Sequence, residues 1–220
     1  MLSRLETVVD LLHAAAEAAL ATHSVAVPGY PFATAVPFVT DAQHRPVLLI
    51  SRLAEHTQNL AADPRASIMV SRQLGGGEMA RVTLVGEVVP IAADPLLTAR
   101  YLRFHPAAEL FLQLGDFGFH RFEPQRIRIV GGFGQAGWLD AQRLLEAAHI
   151  GLDEEQRLID IAASRLPPTV ALLGVDCYGA DLLVGDSRQR RSFDAGPVPA
   201  AELGTALTGV LTDIAREKES

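Results

Sequence analysis

The stretch from Ser51 to Asn59, SRLAEHTQN, gathers two hydroxyls, a guanidinium, an imidazole and two amides within nine residues. Arg52, His56 and Asn59 are spaced i, i+4, i+7, which puts them on one face of a helix, while Leu53, Thr57 and Leu60 share another. Ser51 has a hydroxyl able to cap that helix, and with Thr57, Arg52 and His56 it supplies the donors that a phosphate or carboxylate needs at a helix N-terminus. The chemistry on offer is anion holding; a solvated helix face with a local Glu55 and Arg52 is the plainer reading of the same letters. Arg81 is a further cation. In RVTLVGEV, Arg81, Thr83, Val85 and Glu87 alternate with Val82, Leu84, Gly86 and Val88, so Arg81 lies on the polar face of a strand and is held more rigidly than a helix-surface residue. A third element, GGFGQAGWL, offers free backbone donors at Gly131, Gly132 and Gly134, with Phe133 and Trp138 able to stack on a planar ring. A tight corner with core aromatics would use those residues equally well.

The elements that position these groups are legible around them. The β-formers Val47, Leu48, Leu49 and Ile50 make a strand ending at Ser51, and Asp63-Pro64 stops the polar helix before Ile68-Met69-Val70 resumes extended chain. Upstream, Leu5, Val8, Leu12, Ala15 and Ala19 step by three and four, which predicts one amphipathic helix. Short extended runs (SVAV, FATAVPFV, PVLLI, ASIMV) are separated by Pro28-Gly29, by Asp41 to Arg45 and by the polar helix. Gly75-Gly76-Gly77 predicts a flexible turn. Asp94-Pro95 and Pro106 open two helices, on the first of which Arg100 and Arg103 are expected to be exposed, and RIRIVGGF closes a mostly antiparallel barrel. After Trp138 the texture changes to a helical span over Leu144–Leu166, strands at Val170–Asp176, Asp181–Val184 and Arg190–Phe193, and a last helix over about 199–216. The fold class expected is α+β: a split barrel over 1–140 and a small α+β domain over 141–220.

Bulk properties exclude several classes. A formal net charge of −7 over 220 residues argues against a broad electrostatic footprint for nucleic acid or anionic membrane, and the 49% hydrophobic content suffices for a packed core. The longest apolar stretches fall short of the ~20 residues of a membrane helix, and the N-terminus carries Glu6 and Asp10 without a cleavage-site pattern, so the expectation is a cytoplasmic protein. The single cysteine, Cys177, has no partner and reads as strand packing. The other histidines show no HExxH or paired spacing, so no metal site is expected, and no GxSxG elbow supports a hydrolase.

Taken in order, Tyr30-Pro31-Phe32, SRLAEHTQNL, DPRAS, RVTLVGEV and GGFGQAGWL resemble the split-barrel flavoprotein superfamily of pyridoxamine 5'-phosphate oxidase, most closely its haem-utilisation branch, over about residues 24–139. The resemblance implies a homodimer with a cleft at its interface for a planar anionic cofactor, FMN (flavin mononucleotide) or haem, contacted by Ser51, Arg52, His56, Thr57, Asn59, Arg81, Gly132, Phe133 and Trp138. It implies a flavin- or haem-dependent oxidoreductase or, as the alternative, a non-catalytic haem- or flavin-binding storage protein. Pyridoxamine phosphate oxidation itself is not expected. The family's helix Arg-Lys pair is here Glu55-His56, and the tail from Ala195 to Ser220 lacks the oxidase's Arg/His pattern. The branch's His- and Asn-rich opening of the appended domain is likewise replaced by Asp153-Glu154-Glu155-Gln156-Arg157, with no histidine after His149.

Overall fold

The computed structural model describes residues 3–73, 78–131, 135–164, 166–194 and 196–219. Gly75–Gly77, Gly132, Phe133 and Gly134 lie outside the described residues. Helix α1 (Arg4–Ala14) opens on a capping box in which Ser3 and Glu6 each bond the other's backbone N–H. The helix ends at Ala14, not at Ala19 as the apolar spacing predicts. Residues Glu17–His23 instead form strand β1, whose Ala18, Leu20 and Thr22 are buried alternately. An alanine-rich segment has strong helix propensity, and pairing on both edges overrides it here. On one side lies β2 (Pro31–Thr40) and on the other β4 (Arg65–Gln73), both antiparallel to β1. The SVAV run between β1 and β2 is not a strand but a turn, in which Ser24 and Tyr30 close on each other by a backbone bond.

Strands β3 (Pro46–Ser51) and β5 (Met79–Pro90) extend the sheet in the order β3-β2-β1-β4-β5, and β6 (Phe117–Gly131) completes it. The length of β6 lets its first five residues pair with β3 while residues 120–130 pair with β5, which closes six antiparallel strands into a barrel. A seventh strand, β7 (Gln135–Asp140), lies on the far half of β6. Leu20, Phe38, Leu48, Ile68, Leu84 and Ile127 fill the interior, each effectively inaccessible and each worth about 1.5–3 kcal/mol of burial. Between Val85 and Gly86 the β5–β6 register slips at a bulge, where Gly86 meets the Glu123 carbonyl.

Short helices decorate the barrel: α2 (Glu55–Ala62) after β3, α3 (Pro95–Phe104) and α4 (Ala108–Gln113) before β6, and α5 (Gln142–Leu145) after β7. Asp94 caps α3 and Pro95 is its first residue, as expected. Helix α6 (Leu152–Ala163), a three-stranded antiparallel sheet of β8 (Val170–Asp176), β9 (Gly179–Val184) and β10 (Ser187–Ser192), and α7 (Leu203–Glu219) complete the chain. Helix α1 touches β2, β4, β5 and β6 on one side and β9 and β10 on the other, so barrel and second sheet share one continuous core running from Val8 to Ile214. Among the described residues no helix is long and apolar enough to cross a membrane.

A buried charge cluster sits where these layers meet. The Arg190 guanidinium reaches Asp176 at 2.9 Å, Asp181 at 3.2 Å and Asp10 at 3.3 Å, and His13 Nδ1 stands 3.1 Å from Asp176. Burial alone would raise both aspartates, but Arg190 and His13 outweigh it and hold the carboxyls of Asp176 and Asp181 below the usual range. His13, Asp176 and Asp181 could together ligate a cation by distance, but the guanidinium already supplies the positive charge that the two carboxylates need. His13 Nε2 meets His44 Nδ1 at 2.9 Å, and His44 Nε2 donates to the Ala148 carbonyl at 3.0 Å. His44 reaches this position with a left-handed φ of 63°, in a turn closed by Asp41, a conformation that few non-glycine residues adopt. Arg100, expected on the surface, is buried: it pairs with Glu155 and donates to the Thr40 carbonyl at 2.8 Å.

This cluster sets the acid limit of the fold. Burial, aided by the facing charge of His13, lowers the His44 imidazole from 6.5 to about 4. His44 therefore binds a proton less readily in the folded than in the unfolded chain, so stability is complete above about pH 6.5 and is lost as pH falls toward 4. Burial lowers His56, His105 and His120 in the same direction. The urea midpoint is expected to be flat between pH 7 and 8 and to fall by the equivalent of about 2–3 kcal/mol by pH 4.5. An unchanged midpoint over that interval would remove His44 from the account.

Candidate functional site

The Ser51–Asn59 segment is built differently from its helical spacing. Helix α2 begins only at Glu55, its N-cap is Ala54, and no side chain caps it. Ser51 is the last residue of β3; its hydroxyl donates to Asp116 at 2.5 Å and accepts from the Leu53 N–H at 3.0 Å. The segment therefore turns sharply out of the sheet before the helix starts, with Leu53 77% exposed and Arg52 exposed beside it. The Arg52 guanidinium makes no hydrogen bond or ion pair among the described residues. The inner face of α2 is Thr57, Asn59 and Leu60, all buried. Asn59 is fully inaccessible: its Nδ2 donates to Thr22 at 3.0 Å, and its Oδ1 accepts from the Val25 N–H at 2.8 Å. The amide thus pins α2 to β1 and the following turn. The i, i+4, i+7 face of Arg52, His56 and Asn59 does not form, because Arg52 precedes the helix and Asn59 points inward.

His56 faces a cleft of about 550 Å³ between β3, the start of α2 and the α3–α4 segment. Its back wall is aromatic: Tyr101 and Phe104 of α3, Phe111 of α4 and Phe117 of β6. Phe111 and Phe117 stack with ring centroids 4.9 Å apart at an interplanar angle of 11°, and Tyr101 meets Phe119 edge-on at 5.5 Å. Ser51, His56 and His105 also line it. No lysine or arginine lines the cleft among the described residues.

The titratable groups on this cleft are set apart by their partners. His105 Nε2 donates to the Phe38 carbonyl at 2.9 Å, which fixes its tautomer and ties the nitrogen to the backbone. Tyr101 is buried, its phenol is pushed up to about 12, and it donates to the Pro37 carbonyl at 3.4 Å. His56 differs from both. Its Nε2 is buried and has no hydrogen-bond partner, and burial, with the charge of His120 a lesser cause, lowers the imidazole. Because that nitrogen is inaccessible to solvent, it is turned into the protein and not toward the open cleft.

Arg81 and Trp138 gather elsewhere, on the outer face of the sheet. In register, Arg81 faces Val130, Thr83 faces Arg128, and Arg128 faces Trp138, so the two residues lie one rung apart on the same surface. Trp138 is 51% exposed, and the guanidiniums of Arg126 and Arg128 lie 5.3 and 5.7 Å from its ring centroid. Arg81 carries no ion pair among the described residues. No hydrogen bond or ring contact joins this surface to the His56 cleft within the chain. The aromatic wall of the cleft was missed in the sequence; the signal lay in RYLRFHPAAELF, where rings recur at helical spacing on both sides of a His-Pro pair.

Comparison with known proteins follows from this geometry. A family described as CREG, beta-barrel matches residues 6–146. The chain is 35% identical over 137 residues to the chloroplastic heme oxygenase HOZ of Arabidopsis thaliana, covering 61% of this chain and 42% of that protein, so it spans less than half the length of that relative. It is 30% identical over 142 residues to the heme oxygenase HutZ of Vibrio cholerae, covering 60% of this chain and 78% of the other. A solved heme binding protein from Mycobacterium smegmatis is 27% identical, with a TM-score of 0.62, over 100% of this chain and 99% of its own.

Proposed function

Because the chain belongs to the CREG β-barrel family, with relatives named for haem, we propose that it binds haem in the His56 cleft and serves oxidative haem degradation. The observation that carries this reading is a cleft of about 550 Å³ lined by Tyr101, Phe104, Phe111 and Phe117, with no lysine or arginine among its described lining residues. A porphyrin is a broad apolar plane that buries its faces against rings and leaves its carboxylates at the solvent edge. FMN asks for more: its phosphate carries up to two charges, and here Ser51 already donates to Asp116 while Glu55 adds a negative charge at the uncapped start of α2. Haem when bound supplies an iron that activates dioxygen, given an external electron donor. The chain's own contribution is to orient the ring between Phe111, Phe117 and Tyr101, and to exclude water from one face.

The outer sheet face supports a homodimer. Met69, Val85 and Trp138 are exposed there beside Arg81 and Arg128, which is more apolar surface than an isolated barrel needs to show. A second copy covering it would bury on the order of 2,000 Å². Purified protein is expected to scatter light as twice the 23.6 kDa chain mass, to gain a Soret band on hemin addition, and to lose it with formation of a red-absorbing open tetrapyrrole when an electron donor and dioxygen are supplied. Flavin bands in the purified protein, with no saturable hemin uptake, would overturn the haem reading. A Soret band that persists under turnover would reduce it to haem storage.

A further inference from the structure

We propose that the aromatic cleft admits only an uncharged pyrrole edge, so that this chain takes haem without recognising its carboxylates and refuses tetrapyrroles that carry a carboxylate on every pyrrole; the inference rests on the haem-binding reading above. The lining offers an anion no partner. Its polar side chains are Ser51, His56, Tyr101 and His105. The Ser51 hydroxyl donates to Asp116 and accepts from the Leu53 N–H. His105 Nε2 donates to the Phe38 carbonyl, which leaves Nδ1 as an acceptor, the wrong polarity for a carboxylate. The Tyr101 phenol donates to the Pro37 carbonyl, and His56 turns its Nε2 into the protein. Burial lowers both imidazoles, so neither ring brings a positive charge at neutral pH. Backbone N–H groups at the uncapped start of α2 could hold an anion, but Glu55 already sets a negative charge there.

The charges around the cleft point the same way. Asp116 is bonded to Ser51, and Glu109 follows the lining residue Ala108 in the chain. Arg100 and Arg188 stand 4.9 and 4.4 Å from the Phe104 ring centroid, but neither lines the cleft, and they are engaged by Glu155 and by the His13 carbonyl. Arg52 is exposed and does not line it either. A carboxylate drawn into this space would lose its water and meet no cation among the described residues, which is costly for any ion. A methyl- or vinyl-bearing edge gains instead, since it packs on the stacked rings of Phe111 and Phe117. Haem has such an edge, because its two propionates sit on neighbouring pyrroles. A tetrapyrrole with a propionate on each of its four pyrroles has none.

The test titrates the full-length protein with iron porphyrins that differ only at the ring edge and follows the Soret band. The probes are hemin, its dimethyl ester, iron deuteroporphyrin, which keeps the two propionates and lacks the vinyls, and iron coproporphyrin III, which carries propionates where hemin has vinyls. Esterification is expected to change hemin affinity by less than about tenfold, and iron coproporphyrin to bind at least about tenfold more weakly than iron deuteroporphyrin. A guanidinium on the lining should relax that exclusion. Ala35 and Ala107 line the cleft at exposed positions, so Ala35→Arg and Ala107→Arg suit the fold, and at least one is expected to narrow the coproporphyrin gap. If the parent binds iron coproporphyrin within about tenfold of iron deuteroporphyrin, or loses more than about tenfold on esterification, the inference fails while haem binding stands. If neither arginine variant narrows the gap, the exclusion arises outside this cleft and the inference fails again. If the parent takes up no hemin, the haem-binding reading itself falls.

Discussion

Arg190→Met is expected to be among the most damaging single substitutions in this chain, lowering stability by about 3–5 kcal/mol. Arg190 has 1% of its side chain exposed and is the guanidinium that Asp10, Asp176 and Asp181 share. Methionine fills the volume but leaves three buried carboxylates with no guanidinium among them, faced by His13, by Arg188 near Asp181 and by the partly exposed Arg72 at the edge. For a chain of this size each kcal/mol moves the melting point by about 2–4 °C, so a fall of roughly 6–20 °C should appear in calorimetry. Adding Asp181→Asn should recover part of it, since one of the stranded charges is then gone. A melting point within about 3 °C of the parent would mean that the cluster adds little to stability.

Gly86→Ala should rival it by a purely steric route. A Cβ at residue 86 would overlap the Glu123 carbonyl oxygen and stand 2.9 Å from the Glu123 carbonyl carbon, both backbone atoms with no rotamer to yield. Strands β5 and β6 would have to part at the bulge, at a cost of about 3 kcal/mol or more. Gly131→Ala is the matched control: nothing lies within 4 Å of its Cβ position and its φ is ordinary, so its urea midpoint should stay near the parent's. Equal midpoints for the two variants would refute the packing argument at Gly86.

The parts of this fold that were legible in the sequence are those whose determinants are local. The alternation Arg81 to Val88 is the β5 pleat, Asp94-Pro95 is the start of α3, and β8 and β9 cover their apolar runs, whereas β10 is the polar SRQRRS, Ser187–Ser192, and begins three residues before the Arg190–Phe193 span expected. Strand β1 was hidden because its letters, EAALATH, favour a helix and only its neighbours make it a strand. The site was half legible. His56 stood out by type, but the helical face drawn through Arg52, His56 and Asn59 does not form, since α2 begins at Glu55, four residues after Ser51. The cleft's wall comes from three elements after residue 100, packed against β2 and β3, and no periodicity reports such a meeting. The buried ions were equally opaque. Arg100 sits between Leu97 and Tyr101 on the apolar stripe of α3, and only its partner Glu155, on α6, explains why a charge is tolerated there.

The cluster under α1 also fixes an order of events during synthesis. Asp10 bonds Ser192, 182 positions further along the chain, and the Arg188 guanidinium donates to the His13 carbonyl. At roughly 5–20 residues per second, the ribosome needs about 9–36 s to make the residues between Asp10 and Ser192. All six barrel strands are complete by residue 131, so the barrel can close, with Arg72 and His44 against α1, while the partners from β8, β9 and β10 are still missing. The end of α1 that carries Asp10 and His13 is thus made early and completed late, held by Arg72 and His44 until Arg188, Arg190 and Ser192 are made.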